Sequence, residues 1–264
     1  MSCFFNLRKP LITLMINSPK DYDSTIDTIK KGIKNGAEAF GFCMNLLPPE
    51  YRVKECLSDI FKAMDGRPAY VTNYANWNAD PSLSDEELAQ QLILALECGA
   101  KLIDIFGDMF CHSPMEITED ETAVRKQKKF AEYIHKKGGE VLISSHTQTY
   151  LPPEEVLRIA RLQYERGADI AKIVTKADTD EELKNNFDAL FMLKDAVPCD
   201  TLFLCGGEKA YLHRRFGPII ANSSLFLCVN ENETEQGNSQ PTIDTVKKLL
   251  FLSEKGDLTA AVQK

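Results

Sequence analysis

The sequence predicts an α/β protein folded as an eight-stranded parallel (β/α)8 barrel. Two observations lead there. Eight short, nearly all-apolar runs alternate with longer amphipathic ones along 264 residues. Strands that are apolar throughout are buried on both faces, as strands of parallel sheets are. Eight such units in one chain of this size match a closed eight-fold barrel filling a single domain, residues 1–264. The runner-up, an open doubly wound sheet, would want a Gly-rich phosphate loop in its first unit, and "MINSPKDYDS" has none.

The strand candidates in order are "PLITLMIN" (10–17), "AEAFGFCM" (37–44), "PAYVTNY" (68–74) and "LIDIFGD" (102–108), then "EVLISSHT" (140–147), "IAKIVTKA" (170–177), "TLFLCGG" (201–207) and "SLFLCVN" (224–230). A helical stretch follows each. "PPEEVL" has a Pro-rich, acidic first turn, and "DTDEELKNNF" offers Asp and Thr caps. Gly closes helices at "KNGAE", "ECGAK", "KKGGE" and "ERGAD", each leading into the next strand. The charged run "CHSPMEITEDETAVRKQKKFAEYIHKKGG" reads as a solvated amphipathic helix, acidic at its start and basic at its end.

Composition narrows the function classes. The net charge of -8 and the lack of a basic patch interleaved with aromatics exclude a nucleic-acid partner. The N-terminal apolar run is broken by Arg8, Lys9 and Pro10, so it reads as neither signal peptide nor membrane span. Eight cysteines without a CxxC pair read as small buried hydrophobes in a reducing, cytoplasmic setting. Neither cofactor nor metal is expected.

In a barrel of this kind the chemistry sits at the carboxyl ends of the strands. Those ends carry Asn17, Asn45, Asn73, Asp108, His146, Lys172, Glu208 and Asn230. Lys172 is the unusual one. Inside a strand, its amine is expected in a largely apolar site, with a lowered pKa. A neutral amine attacks a carbonyl to give an imine, an electron sink for carbanion chemistry. His146, on the preceding strand, would move a proton at the adjacent carbon. Each has an ordinary reading too: strand lysines commonly snorkel or pair with an acid, and strand-end histidines are commonly structural. Lys176 competes for the role of Lys172.

These residues resemble the type I 3-dehydroquinate dehydratase (type I 3-dehydroquinase) family. "SSHTQTYLP" matches the family's Ser-x-His strand end and following proline, at Ser144, His146 and Pro152. "GADIAK" matches the segment ending in the imine-forming lysine, at Lys172. "LHRRFGPIIANSSLFLCV" places Arg214 at the family's arginine, with His213 in place of a serine. "GNSQPTIDTVKKLL" places Gln240 at the glutamine of the closing loop. The resemblance implies an aldolase-like TIM barrel and a cytoplasmic lyase of the shikimate pathway. It acts on a small-molecule keto substrate, with Lys172 as Schiff-base residue and His146 as general acid/base. Arg214 and Gln240 would hold the substrate carboxylate. A homodimer is also implied, with no residue pattern behind it.

The first half of the chain departs from the family. Glu-x-Arg-x-Asp on the second strand becomes Gly41, Cys43 and Asn45. Thr-x-Arg on the third gives Tyr74 for the arginine. Asp-x-Glu on the fourth keeps Asp104 but has Phe106 where the histidine-orienting glutamate belongs. A bidentate arginine site does not survive replacement by Tyr or Cys. The expectation is imine machinery inside an altered substrate shell. Asp108 is expected to replace the missing glutamate by way of a bulge. Asn45, Asn73 and Asn76 are expected to hydrogen-bond a less anionic substrate.

Three other readings follow from the residues. A class I aldolase would keep Lys172 and hold a phosphate at "CGGEKA". A metal-dependent barrel would use Asp108, His112 and His146. A barrel that binds a ligand without turnover would keep the fold alone. Trp77 is a candidate lid or stacking residue, or a packing residue on the next helix.

Overall fold

A computed structural model describes all residues except 1, 2, 6, 8, 77, 231–238 and 256–264. Trp77 therefore lies outside the described residues. All eight expected strands form: β1 Leu11–Ile16, β2 Ala39–Cys43, β3 Ala69–Thr72, β4 Leu102–Phe106, β5 Glu140–His146, β6 Ile170–Lys176, β7 Asp200–Gly206 and β8 Leu225–Cys228. A helix follows each: α1 Tyr22–Asn35, α2 Lys54–Ala63, α3 Asp85–Glu97, α4 Glu121–Lys136, α5 Pro153–Glu165, α6 Asp180–Ala196, α7 Ala210–Ile220 and α8 Ile243–Lys255. Local chemistry sets the ends. Thr179 and Glu182 form a capping box on α6, and Asp120 caps the charged helix α4. Gly36 ends α1 in the left-handed region at φ 103°.

The strands are parallel and wrap in the order β7-β6-β5-β4-β3-β2-β1-β8, giving a nearly closed TIM barrel. Among the described residues no ladder joins β7 to β8; at the start of that seam the Ser224 hydroxyl donates to the Asp200 carboxylate. No helix among the described residues is long and apolar enough to cross a membrane.

Period-two alternation sorts each strand into two layers. On β6, Ala171 and Ile173 pack outward with α5 and α6, while Ile170 and Val174 join the barrel interior. Lys172 lies between those two and shares their inward parity. On β5, Leu142, Ser144 and His146 share the inward set in the same way. The interior is filled by Met15, Ala39, Cys43, Tyr70, Leu102, Leu142, Leu202, Leu204, Leu225 and Leu227. Phe4 closes the amino-terminal end, where Glu140 accepts from the Cys3 and Phe4 main-chain NH groups at 2.5 and 2.9 Å. Glu140 is at the amino-terminal end, whereas the polar cluster around Lys172 lies at the carboxyl end, where the longer loops after β2, β3 and β4 gather.

Candidate active site

Register places the central side chains. Ser144 on β5 sits opposite Lys172 on β6, and Tyr70 on β3 is one strand from Asp104 on β4. Tyr74 extends the inward parity of β3 into its loop. The Lys172 amine donates to the Tyr74 hydroxyl at 2.6 Å and the Tyr70 hydroxyl at 3.0 Å, with Asp104 Oδ2 at 3.4 Å. Both phenols donate to that same Oδ2 at 2.5 Å, and the Ser144 hydroxyl donates to Oδ1 at 2.6 Å. Asp104 is fully buried and Lys172 is 5% exposed. The apolar setting expected for the amine is absent, because a carboxylate and two phenols surround it. Burial first, then the Asp104 charge, raises both phenols well above the usual tyrosine range, so they remain donors.

His146 stands beside this cluster, its ring edge-on to Tyr74 with centroids 5.0 Å apart. Its Nδ1 meets Glu116 Oε2 at 2.8 Å, and its main-chain NH donates to the same oxygen at 2.9 Å. Asn76 Nδ2 donates to the other Glu116 oxygen at 3.2 Å. A carboxylate on Nδ1 places the proton there and leaves Nε2 as the base. Burial lowers the His146 pKa, the Lys172 charge adds to this, and Glu116 opposes both.

Sequence reasoning missed Tyr70, the interior phenol on the amine, and it missed Glu116. Glu116 lies in the β4–α4 loop, at φ 45°, inside the run read as a solvated helix. The sole signal for it was the lack of a glutamate at Phe106. Asp108 does not stand in for that glutamate: it accepts from Ser113 NH at 2.7 Å and lies 3.6 Å from His112, shaping the turn below the loop. The loop itself is built by buried polar side chains from three elements. Gln127 of α4 donates to the Gly107 and Met109 carbonyls at 3.1 and 2.9 Å. Arg166, just past α5, donates to the Gly107 carbonyl at 2.8 Å and also to the Thr118 carbonyl. Ser145 of β5 donates to the Glu116 carbonyl at 2.7 Å. A Cβ on Gly107 would come within 2.6 Å of that carbonyl, so glycine is required there.

Arg214 and Gln240 come together at the carboxyl end of β7 and β8. Arg214 Nε donates to the Cys205 carbonyl at 2.8 Å. Its Nη1 donates to the Gln240 amide oxygen at 2.8 Å, while the Gln240 amide nitrogen donates to the Leu227 carbonyl at 3.2 Å. Burial pushes the Arg214 pKa down to about 10. His213 does not join them. It is buried between Phe187 and Phe203, with ring centroids at 5.3 and 5.1 Å, and among the described residues neither ring nitrogen has a hydrogen-bond partner.

The amides divide. Asn45 is 2% exposed, and its side-chain oxygen accepts from the Thr72 hydroxyl at 3.2 Å. Asn73 has the outward parity of β3, and its amide donates to the Leu88 carbonyl and Gln91 of α3 at 3.3 and 3.0 Å. It belongs to the helix layer, outside the mouth. Asn76 is spent on Glu116. Lys176 forms a surface ion pair with Asp178 at 2.8 Å, which removes it as a rival to Lys172. Met15 fills the space that Gly41 leaves: a Cβ there would lie 2.1 Å from the Met15 sulfur. A thioether therefore occupies wall space beside the position where the family carries a charged side chain.

Fold and site together define a TIM-barrel protein whose polar centre lies at the strand carboxyl ends, around a lysine on the sixth strand and a histidine on the fifth. The type I 3-dehydroquinase family model matches residues 12–257, and the chain belongs to that family. A 3-dehydroquinate dehydratase of Alkaliphilus oremlandii (strain OhILAs) is 27% identical over 123 residues, 46% of this chain and 47% of that protein. The match thus spans about half the length of that curated relative. Among solved structures, the type I 3-dehydroquinate dehydratase of Clostridium difficile, with covalently modified comenic acid, superposes with a TM-score of 0.81 at 16% identity, covering 97% of this chain and 98% of that one. The Geobacillus kaustophilus HTA426 enzyme superposes at 0.77 with 14% identity, covering 95% and 93%. At these identities the superpositions speak for the fold.

Proposed function

We propose that this protein is a Schiff-base-forming hydro-lyase acting on a cyclic β-hydroxyketone, with a substrate shell altered from its family's. The reading is carried by one arrangement: a buried amine and a carboxylate-held imidazole on neighbouring strands, both bordering Tyr74. Lys172 condenses with the ketone and releases water. The iminium acidifies the adjacent C–H, and His146 Nε2 takes that proton. The electron pair forms an enamine, then expels the β-hydroxyl, which leaves as water with the proton from His146. Water hydrolyses the conjugated imine and frees Lys172. Arg214 and Gln240 would receive a carboxylate. Met15, Cys43, Tyr74 and Phe106 occupy the wall where the family carries ionic residues, which favours a substrate with fewer anionic or hydroxyl groups than 3-dehydroquinate.

The aldolase reading loses its phosphate cradle. The Glu208 NH already donates to Asp178 Oδ1 at 3.0 Å, and the Lys209 NH to the Ala177 carbonyl at 2.9 Å. The metal reading loses its ligand set, because His112 turns to Asp85 and Asp108 while His146 turns to Glu116.

The test is borohydride trapping with 3-dehydroquinate and a panel of other cyclic keto acids, read by intact mass beside a Lys172→Ala control. A reduced adduct that vanishes in the control is expected. Adducts with the panel alone would place the activity on a new substrate. No adduct with any ketone would leave a ligand-binding barrel and sink the lyase reading.

A further inference from the structure

Imine formation needs proton transfers of its own. An amine paired with an acid must lose a proton before it attacks, and the carbinolamine hydroxyl must gain one before it departs. His146 is turned to Glu116 through Nδ1, and its ring meets the edge of Tyr74. The Lys172 amine donates to two phenols at 2.6 and 3.0 Å and lies farther, at 3.4 Å, from Asp104 Oδ2, the carboxylate oxygen to which both phenols are bonded onward.

We propose that Tyr74 is a catalytic residue of imine formation, relaying protons between Lys172 Nζ and Asp104 Oδ2, with Tyr70 holding the same carboxylate. This rests on the reading of Lys172 as the imine-forming residue. The geometry is a continuous path: 2.6 Å from Nζ to the Tyr74 oxygen, then 2.5 Å to Oδ2. Tyr70 offers a second, longer entry at 3.0 Å. Ser144 holds the other carboxylate oxygen, so Asp104 cannot turn away from the phenols.

The steps balance. A proton passes from the Lys172 ammonium to the Tyr74 oxygen as the phenolic proton passes to Asp104, leaving a neutral amine and a neutral acid. The amine lone pair forms the C–N bond, and the carbonyl π pair moves to oxygen. The Tyr74 oxygen takes a proton from the new C–N nitrogen and gives its own to the alkoxide, which yields the neutral carbinolamine. The proton on Asp104 then returns through Tyr74 to the hydroxyl. The C–O bond breaks, water leaves, and the nitrogen lone pair forms the iminium. Of the three ammonium protons, one stays on nitrogen and two leave in water. Asp104 is again ionised, now opposite the iminium. Burial keeps the Tyr74 phenol protonated between transfers. A neutral amine and acid also cost less to keep buried than a separated ion pair.

The test uses formaldehyde with cyanoborohydride, the smallest carbonyl probe, so that it does not depend on knowing the native ketone. Methylation at Lys172 is followed by peptide mass, with exposed lysines as internal reference. Tyr74→Phe is expected to slow Lys172 methylation by about a hundredfold, the low end of the range for positioned proton transfer. Asp104→Asn, which keeps the shape and removes the proton acceptor, should slow it as much, and the double variant no further. Thermal unfolding checks each fold; if Tyr74→Phe does not fold, Asp104→Asn decides alone. Equal rates in wild type and the folded variants overturn the relay, as does a wild-type Lys172 that resists formaldehyde while surface lysines react. If formaldehyde marks Lys172 in a Tyr74-dependent way but no ketone does, the relay stands and the lyase reading fails.

Discussion

Glu116 does for His146 what no residue of the fourth strand does. Its carboxylate takes both the ring Nδ1 and the main-chain NH. Replacing Glu116 by Gln removes the charge that holds the imidazolium form up, so the His146 pKa should fall below its already lowered value. The acid limb of the pH–rate profile should then move to lower pH, and NMR titration of the ring should move with it. Turnover should drop by about tenfold to a hundredfold through lost orientation. An unmoved titration would mean that Glu116 only packs the loop. Lys172 and His146 were legible because strand parity fixes the direction of a side chain once the strand is known. Glu116 was not, because a loop residue carries no period. The same argument explains Asn73: parity turns it outward, although its place at a strand end made it a mouth residue by position alone.

The β4–α4 loop is held from outside by side chains that sequence patterns assign to helix faces. Gln127, Arg166 and Gln163 are all buried polar residues, and Gln127 lies in the run read as solvated. Gln163 donates to the Lys172 carbonyl at 2.9 Å and to Ser145 at 3.1 Å, linking the helix layer to the strands that carry the site. Replacing Arg166 by Ala would remove the donor to the Thr118 carbonyl and to the Gln127 amide oxygen, while the Gly107 carbonyl keeps Gln127 Nε2 and the Thr118 NH. The expected cost is about 2–3 kcal/mol of stability, read by urea unfolding. A cost near zero would show that the loop keeps its shape unaided. Amide exchange across 107–118 should also quicken before the strands do. At this scale the eight strands were readable to within about two residues at each end, and a helix after each, from apolar runs, caps and terminal glycines. The loop between them was not, since its shape comes from contacts distant in sequence.

The whole molecule carries an acid weakness in its helix layer. Burial lowers the His213 pKa from 6.5 to about 4, and the neighbouring Arg214 charge adds to it. Among the described residues both ring nitrogens are buried without a hydrogen-bond partner, so a proton there is poorly compensated. Between these two values the unfolded chain binds the proton and the folded chain does not. Stability is therefore complete above the unfolded value and drains as pH falls toward about 4, by roughly 3 kcal/mol from this residue. The lowered pKa of His146 pulls in the same direction. His213→Leu should flatten the pH dependence of urea midpoints between those limits, and an unchanged slope would assign the weakness elsewhere.

Among the described residues no ladder closes the seam between β7 and β8, which leaves the barrel wall two borders. Arg214 follows one border and Gln240 follows the other, so their bond acts as a clasp across the gap. Any anion seated on Arg214 would tighten that clasp, and binding would then be felt as stiffness far from the chemistry. The barrel should breathe along this line when empty and quieten when filled, in proportion to how much of the ligand's affinity is specific to the closed wall.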